Sequence, residues 1–167
     1  MRRTFALTTL TLILAATAAP ATARDLTTLS SGDKVEWVRG HCIETSHVAE
    51  GPLGADLTKR QSRFFCDSAV IMFFKRDPGH VLVQFTEKRS NTDTPIGFGG
   101  VLANDGIQMV VGRLYLPTGA PPTNVDDGAC KFFFKNKHME GIFCGAVVDQ
   151  GDRRIVANIA FDADPGQ

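Results

Sequence analysis

Cys130-Lys-Phe-Phe-Phe-Lys135, a polar turn from Asn136 to Gly141, and Ile142-Phe-Cys-Gly-Ala-Val-Val148 place two apolar runs around a short polar break. A second break, Asp149-Gln-Gly-Asp152, leads into Arg154-Ile-Val-Ala-Asn-Ile-Ala-Phe161. Apolar runs joined by short polar turns are what hairpins require, so the stretch reads as a three-strand meander. Cys130 opens its first strand and Cys144 lies in its second. Directly opposed residues sit about 4.5–5.5 Å apart, within the Cα range that a disulfide spans.

The same patterning runs upstream. Lys34-Val-Glu-Trp-Val38 predicts a first strand, with Val35 and Trp37 on its buried face and Lys34 and Glu36 opposite. Ala69-Val-Ile-Met-Phe-Phe74 is a continuous apolar run and predicts a strand buried on both faces. After the turn Arg76-Asp-Pro-Gly79, Val81, Val83 and Phe85 alternate with His80, Leu82 and Gln84, as in a half-exposed strand. Ile96–Leu102 and Gly106–Leu116 flank Asn104-Asp105-Gly106, a hairpin signal. Gly97, Gly99 and Gly100 precede no helix, so they mark a bulge or a close backbone approach and not a dinucleotide loop.

Three polar stretches read as loops. Glu44 to Ser62 contains Gly51-Pro-Leu-Gly54 and one or two helical turns over Asp56–Gln61, with Asp56 as N-cap. Glu87 to Pro95 is the second, and Pro117 to Ala129 is the longest irregular segment. Eight to ten short strands with almost no helix predict an all-β, single-domain antiparallel sandwich or barrel with two disulfides.

Met1-Arg-Arg3, the apolar run Phe5–Ala19 and the small residues Ala21-Thr-Ala23 have the pattern of a cleaved secretory signal. The chain then divides into a signal peptide over 1–23, a flexible leader over 24–33 and one β-rich domain over 34–167. Cleavage removes 23 of 167 residues and leaves 144, a size that suits one core. It also removes two of 18 basic residues against 18 acidic ones, for a net charge of −2. Such a balance gives no footprint for nucleic acid, and no stable membrane insertion is expected after cleavage.

Four cysteines, Cys42, Cys66, Cys130 and Cys144, follow the signal. An even number behind such a signal argues for disulfides in an oxidising compartment, periplasmic or secreted. Four cysteines allow three connectivities. Sequence proximity and the hairpin favour Cys42–Cys66 and Cys130–Cys144.

No catalytic, cofactor-binding or metal residue is assigned. His41, His47, His80 and His138 are the obvious imidazoles, and none has a partner at a diagnostic spacing. Ser68 follows Asp67 outside any nucleophile elbow. Asp126-Asp127 with Asn124 lacks the spacing of a calcium loop. Phe132-Phe-Phe134 puts at least one ring on each strand face, and one face could meet a partner.

Trp37 shortly before Cys42, Leu114-Tyr-Leu-Pro-Thr-Gly119, Val125-Asp-Asp-Gly128 and the closing Gly141-Ile-Phe-Cys144 resemble the bacterial invasion-associated locus B proteins. This chain puts a full hairpin between Cys130 and Cys144, where that family has a tighter pair. The resemblance implies export and host association more than a mechanism.

The sequence therefore predicts an exported, non-enzymatic binding protein of the bacterial envelope, whose partner is another protein or an envelope component. Two alternatives stand beside it. One is an inhibitor of a secreted hydrolase that inserts the Pro117–Ala129 or the Glu87–Pro95 loop. The other is a small periplasmic hydrolase whose site is assembled from separate strands.

Overall fold

Alternation of inward and outward side chains, interrupted at bulges, runs through the strands of the computed structural model, which describes residues 33–87, 95–117 and 121–165. The signal over 1–23, the leader up to 32 and most of the Glu87–Pro95 loop lie outside the described residues. Eleven strands are present among those described. They are β1 (Lys34–Cys42), β2 (His47–Pro52), β3 (Gln61–Arg63), β4 (Cys66–Phe73), β5 (His80–Glu87) and β6 (Pro95–Leu102). β7 (Gln108–Tyr115), β8 (Thr123–Asn124), β9 (Asp127–Lys135), β10 (His138–Gln150) and β11 (Arg153–Ala163) complete the set.

The sheet runs β1-β4-β5-β6-β7-β9-β10-β11 and returns to β1, giving a closed barrel of eight antiparallel strands. Closure settles the choice between sandwich and barrel, because a sandwich would leave β1 and β11 as edges. Gly40, His41 and Cys42 pair with Ala163, Asp162 and Phe161. A Cβ at Gly40 would collide with the Asp162 carbonyl oxygen, so this close approach requires glycine. Before that point β11 pairs with β2, from Arg153↔Pro52 to Asn158↔His47. Where β11 changes partner, the buried Ser46 hydroxyl stands in for a strand. Its Oγ donates to the Ala160 carbonyl at 2.9 Å and accepts from the Ala160 N–H at 3.0 Å.

An eight-stranded barrel is just wide enough for side chains to fill it. Phe85, Phe98 and Phe161 meet in the interior, with Phe85 edge-on to Phe98 at 6.1 Å and tilted to Phe161 at 5.8 Å. Ile71, Val83, Leu114, Ile142, Ile159 and Val148 pack around them. Each such side chain stabilises the fold by roughly 1.5–3 kcal/mol through burial.

Both disulfides form, Cys42–Cys66 and Cys130–Cys144. Cys130 and Cys144 are direct cross-strand partners in the β9–β10 hairpin. Cys42 ends β1 and Cys66 begins the adjacent β4, with Cα atoms 5.0 Å apart.

Several expectations are corrected. Val35 and Trp37 face outward, 40% and 56% exposed, and Val38 and Cys42 are the core residues of β1. The register explains this: Val38 pairs with inward Ala69, so Lys34 and Glu36 share the Val38 side. They lie where β1 has only β4 beside it, and they form a solvated ion pair at the barrel's lip. The Ala69–Phe74 run is buried on one face only, through Ala69 and Ile71, while Val70 and Met72 point out half-exposed.

The expected loop from Glu44 to Ser62 contains β2 and most of β3. Its helical turn is a single 3-10 turn, Thr58–Arg60, with Leu57 at the cap position. Asp56 still braces it, accepting from the Thr58 N–H at 2.9 Å. The Pro117–Ala129 loop contains β8 and the start of β9, so its exposed irregular length is shorter than expected. The first meander turn narrows to Asn136 and Lys137, both at positive φ, and a bulge between Met139 and Gly141 restores the pairing.

Candidate binding trough on the barrel wall

Between β5 and β7 the outer wall is built from residues that lack bulk. Strand parity sends Ile96 and Phe98 inward and leaves Gly97 and Gly99 on the outside. Tyr115 covers both, since a Cβ at either glycine would lie 3.2 Å from a Tyr115 atom. An aromatic side chain lying across outward glycines restores the packing that glycine gives up. Gly100 has a different reason, because a Cβ there would collide with the Val110 carbonyl oxygen.

A bulge completes the surface. Gly99 pairs with Arg113 and Gly100 with Val111, so Gly112 is an extra residue with no partner in β6. The bulge lets Val111 and Leu114 both face the core, although they are three residues apart. A Cβ on Gly112 would meet nothing within 4 Å. Its carbonyl is held by the Val125 N–H at 3.0 Å.

The result is an open trough of about 620 Å³. Its apolar sides come from Leu82, Val101, Val110, Phe74 and Tyr115, with Gly99, Gly100 and Gly112 contributing no side chain. Val101 is 46% exposed and Val110 68%. One end carries Arg76, Asp77 and His80 from the β4–β5 turn, and Arg113 stands on β7. Asp77 Oδ1 is engaged by His80 Nδ1 at 2.8 Å. Neither Arg76 nor Arg113 forms an ion pair among the described residues.

The trough continues into a wider apolar face. Cross-strand pairing aligns Trp37, Val70, Gln84, Gly97 and Tyr115 in one outward row. Val35, Met72, Leu82, Gly99 and Arg113 make the next. Five strands spaced by about 4.8 Å make this face roughly 20 Å wide. Apart from Gln84 and Arg113 the side chains of this face are apolar, from half-buried to exposed, and such a patch marks an interaction surface more often than scattered apolar residues do.

The sequence-derived candidates fall elsewhere, with one exception. His80 joins the trough through its pair with Asp77. His47 sits on β2, with Nδ1 2.7 Å from the Thr45 carbonyl oxygen. His41 and His138 line a second open cleft of about 500 Å³, beside Glu140, Asp162 and Asp164. No three His, Cys, Asp or Glu side chains are placed to hold a metal ion among the described residues. Ser68 is buried and donates to Asp67 at 3.1 Å. Asp126 serves the fold, with Oδ2 accepting from the Asp149 N–H at 2.6 Å. Phe132 faces the core, while Phe133 and Phe134 are 43% and 48% exposed.

Ionisation is perturbed away from the trough. Hydrogen bonds from Arg154 hold the Asp149 carboxyl below its ordinary value, and the same contact raises Arg154. Hydrogen bonds from Thr58 lower Asp56.

Sequence reasoning missed Val101, Val110, Gly112 and Tyr115. The available signal was the pair Val110-Val111, since adjacent strand residues point to opposite faces and one valine must leave the core. No family model, no curated protein and no solved structure matches the chain.

Proposed function

We propose that the protein is an exported binding protein of the bacterial envelope that uses the outer wall of β1 and β4–β7 to hold another protein or an envelope component. The observation that carries this reading is the apolar face running from Trp37 to Tyr115 with the glycine-floored trough at its side. Export is supported by the Met1–Ala23 pattern and by two disulfides that engage all four cysteines. The resemblance to the invasion-associated locus B proteins points to the same compartment.

The test is capture from envelope extract by the immobilised protein and by a Val101→Asp/Val110→Asp variant. Both valines are substantially exposed, so the variant is expected to keep its fold, checked by far-UV circular dichroism and melting temperature. A partner retained by the unaltered protein and lost by the variant supports the reading. Equal capture by both refutes it.

A hydrolase is the second reading, favoured by the cleft that gathers His41 and His138 with Glu140, Asp162 and Asp164. Under it, His41→Ala and His138→Ala each abolish hydrolysis of an ester or peptide substrate. Under the binding reading, neither change affects capture.

A further inference from the structure

We infer that the trough takes a small, free anionic amphiphile, its apolar body against Leu82, Val101 and Val110 and its carboxylate drawn by the guanidinium groups of Arg76 and Arg113 that line the same trough. This rests on the binding reading above and narrows it to a chemical class. A volume of about 620 Å³ lies in the range of small-molecule sites, which bury an apolar body and fix it with a few polar groups. It suits one chain or ring system and not a two-chain phospholipid.

The charge pattern selects the head group. Asp77 is occupied by His80 at 2.8 Å, whereas Arg76 and Arg113 form no ion pair among the described residues. Guanidinium groups match carboxylate geometry and form charge-assisted hydrogen bonds to it. A neutral head group gains less here, and a cationic one is repelled.

Gly112 supplies an independent argument. Gly100 is glycine because the β6–β7 backbones approach closely, and Gly106 because its φ is 69°. Neither reason applies at Gly112, where a Cβ meets nothing within 4 Å and φ is not positive. A side chain at this position would occupy the space that the trough leaves open. The absence of bulk there suits a ligand and is not demanded by the fold.

Calorimetric titration with decanoate, decanol and decyltrimethylammonium tests the inference. Decanoate is expected to bind, with the other two at least about tenfold weaker, since two charged contacts are lost. Arg76→Gln/Arg113→Gln should remove most of the preference for decanoate over decanol. Gly112→Leu should weaken decanoate at least about tenfold at an unchanged melting temperature. Equal affinity for the three probes, no decanoate binding, or undiminished binding in the double Gln variant would overturn the inference. Retention on anionic phospholipid vesicles in place of decanoate would also overturn it. Loss of envelope capture in the Val101→Asp/Val110→Asp variant would stand apart from any of these results.

Discussion

The two sides of the barrel are built to different rules. β9, β10 and β11 form a long meander, tied by Cys130–Cys144, with ten consecutive residue pairs between β10 and β11. Its outer surface sets the exposed rings of Phe133, Phe134 and Phe143 among charges held in pairs, such as Arg154 on Asp149 through two 2.6 Å hydrogen bonds. β5, β6 and β7 carry no cysteine, are interrupted by a bulge at Gly112, and show solvent valine and glycine where charge would be expected. Both sides feed the same interior, so the contrast does not arise in the core. The meander side holds the ring together, and the glycine side is left open on its outer surface.

The largest effect should come from the covalent ties. Reducing both disulfides is expected to lower stability by about 4–8 kcal/mol if they act independently. Urea unfolding with and without reductant measures it. Non-reducing peptide mapping should recover only Cys42–Cys66 and Cys130–Cys144, and any other pairing would dismantle the contrast between the sides.

Phe85→Ala should follow, at about 3–5 kcal/mol, because Phe85 touches Phe98 from the open side and Phe161 from the meander. A cost well below that would mean that the shared core is less tightly filled than the contacts indicate.

Ser46→Ala removes the hydroxyl that serves the Ala160 N–H and carbonyl where β11 changes partners. The Ala160 carbonyl keeps the Ile43 N–H at 2.9 Å, so the change leaves the Ala160 N–H unpaired, at a cost of about 1–3 kcal/mol, read as a lower denaturation midpoint with an unchanged slope.

On the open side, Trp37 gives a spectroscopic check. At 56% exposure, its native emission should already lie near that of solvated indole, be quenched readily by iodide, and move little on unfolding. A blue-shifted, quencher-resistant native signal would place Trp37 inside and remove the apolar face.

The smallest effect is acid sensitivity on the meander side. Asp149 has a lowered native pKa through its hydrogen bonds from Arg154, so its contribution is present above the ordinary value of 3.8. It is lost as pH falls below 3.8 and on through the lowered native value. Asp149→Asn should flatten that part of the melting-temperature profile.

How far the sequence could be read follows from the same division. The meander was legible because its turns are polar, its apolar runs are long, and a cysteine on each of its first two strands fixes how those two face each other. Alternation tells which residues share a face, but not which face is inside. Val35 and Trp37 were therefore grouped correctly and turned the wrong way, since the deciding register with Ala69 belongs to another strand. The glycines of β6 announced a bulge, but its extra residue sits in β7, where Gly112 carries no local signal. The trough depends on β5, β6 and β7 lying in register, and no single stretch of sequence contains that information.

The ring closes through three residue pairs, Gly40–Cys42 with Ala163–Phe161, between the first strand and the last. Contacts between residues so far apart in the chain form slowly, because a long loop must be closed before they contribute. A chain emerging N-terminus first presents β1 before every other strand of the barrel and β11 after them. The ring can therefore close only once β11, the last of its eight strands in chain order, is available to β1.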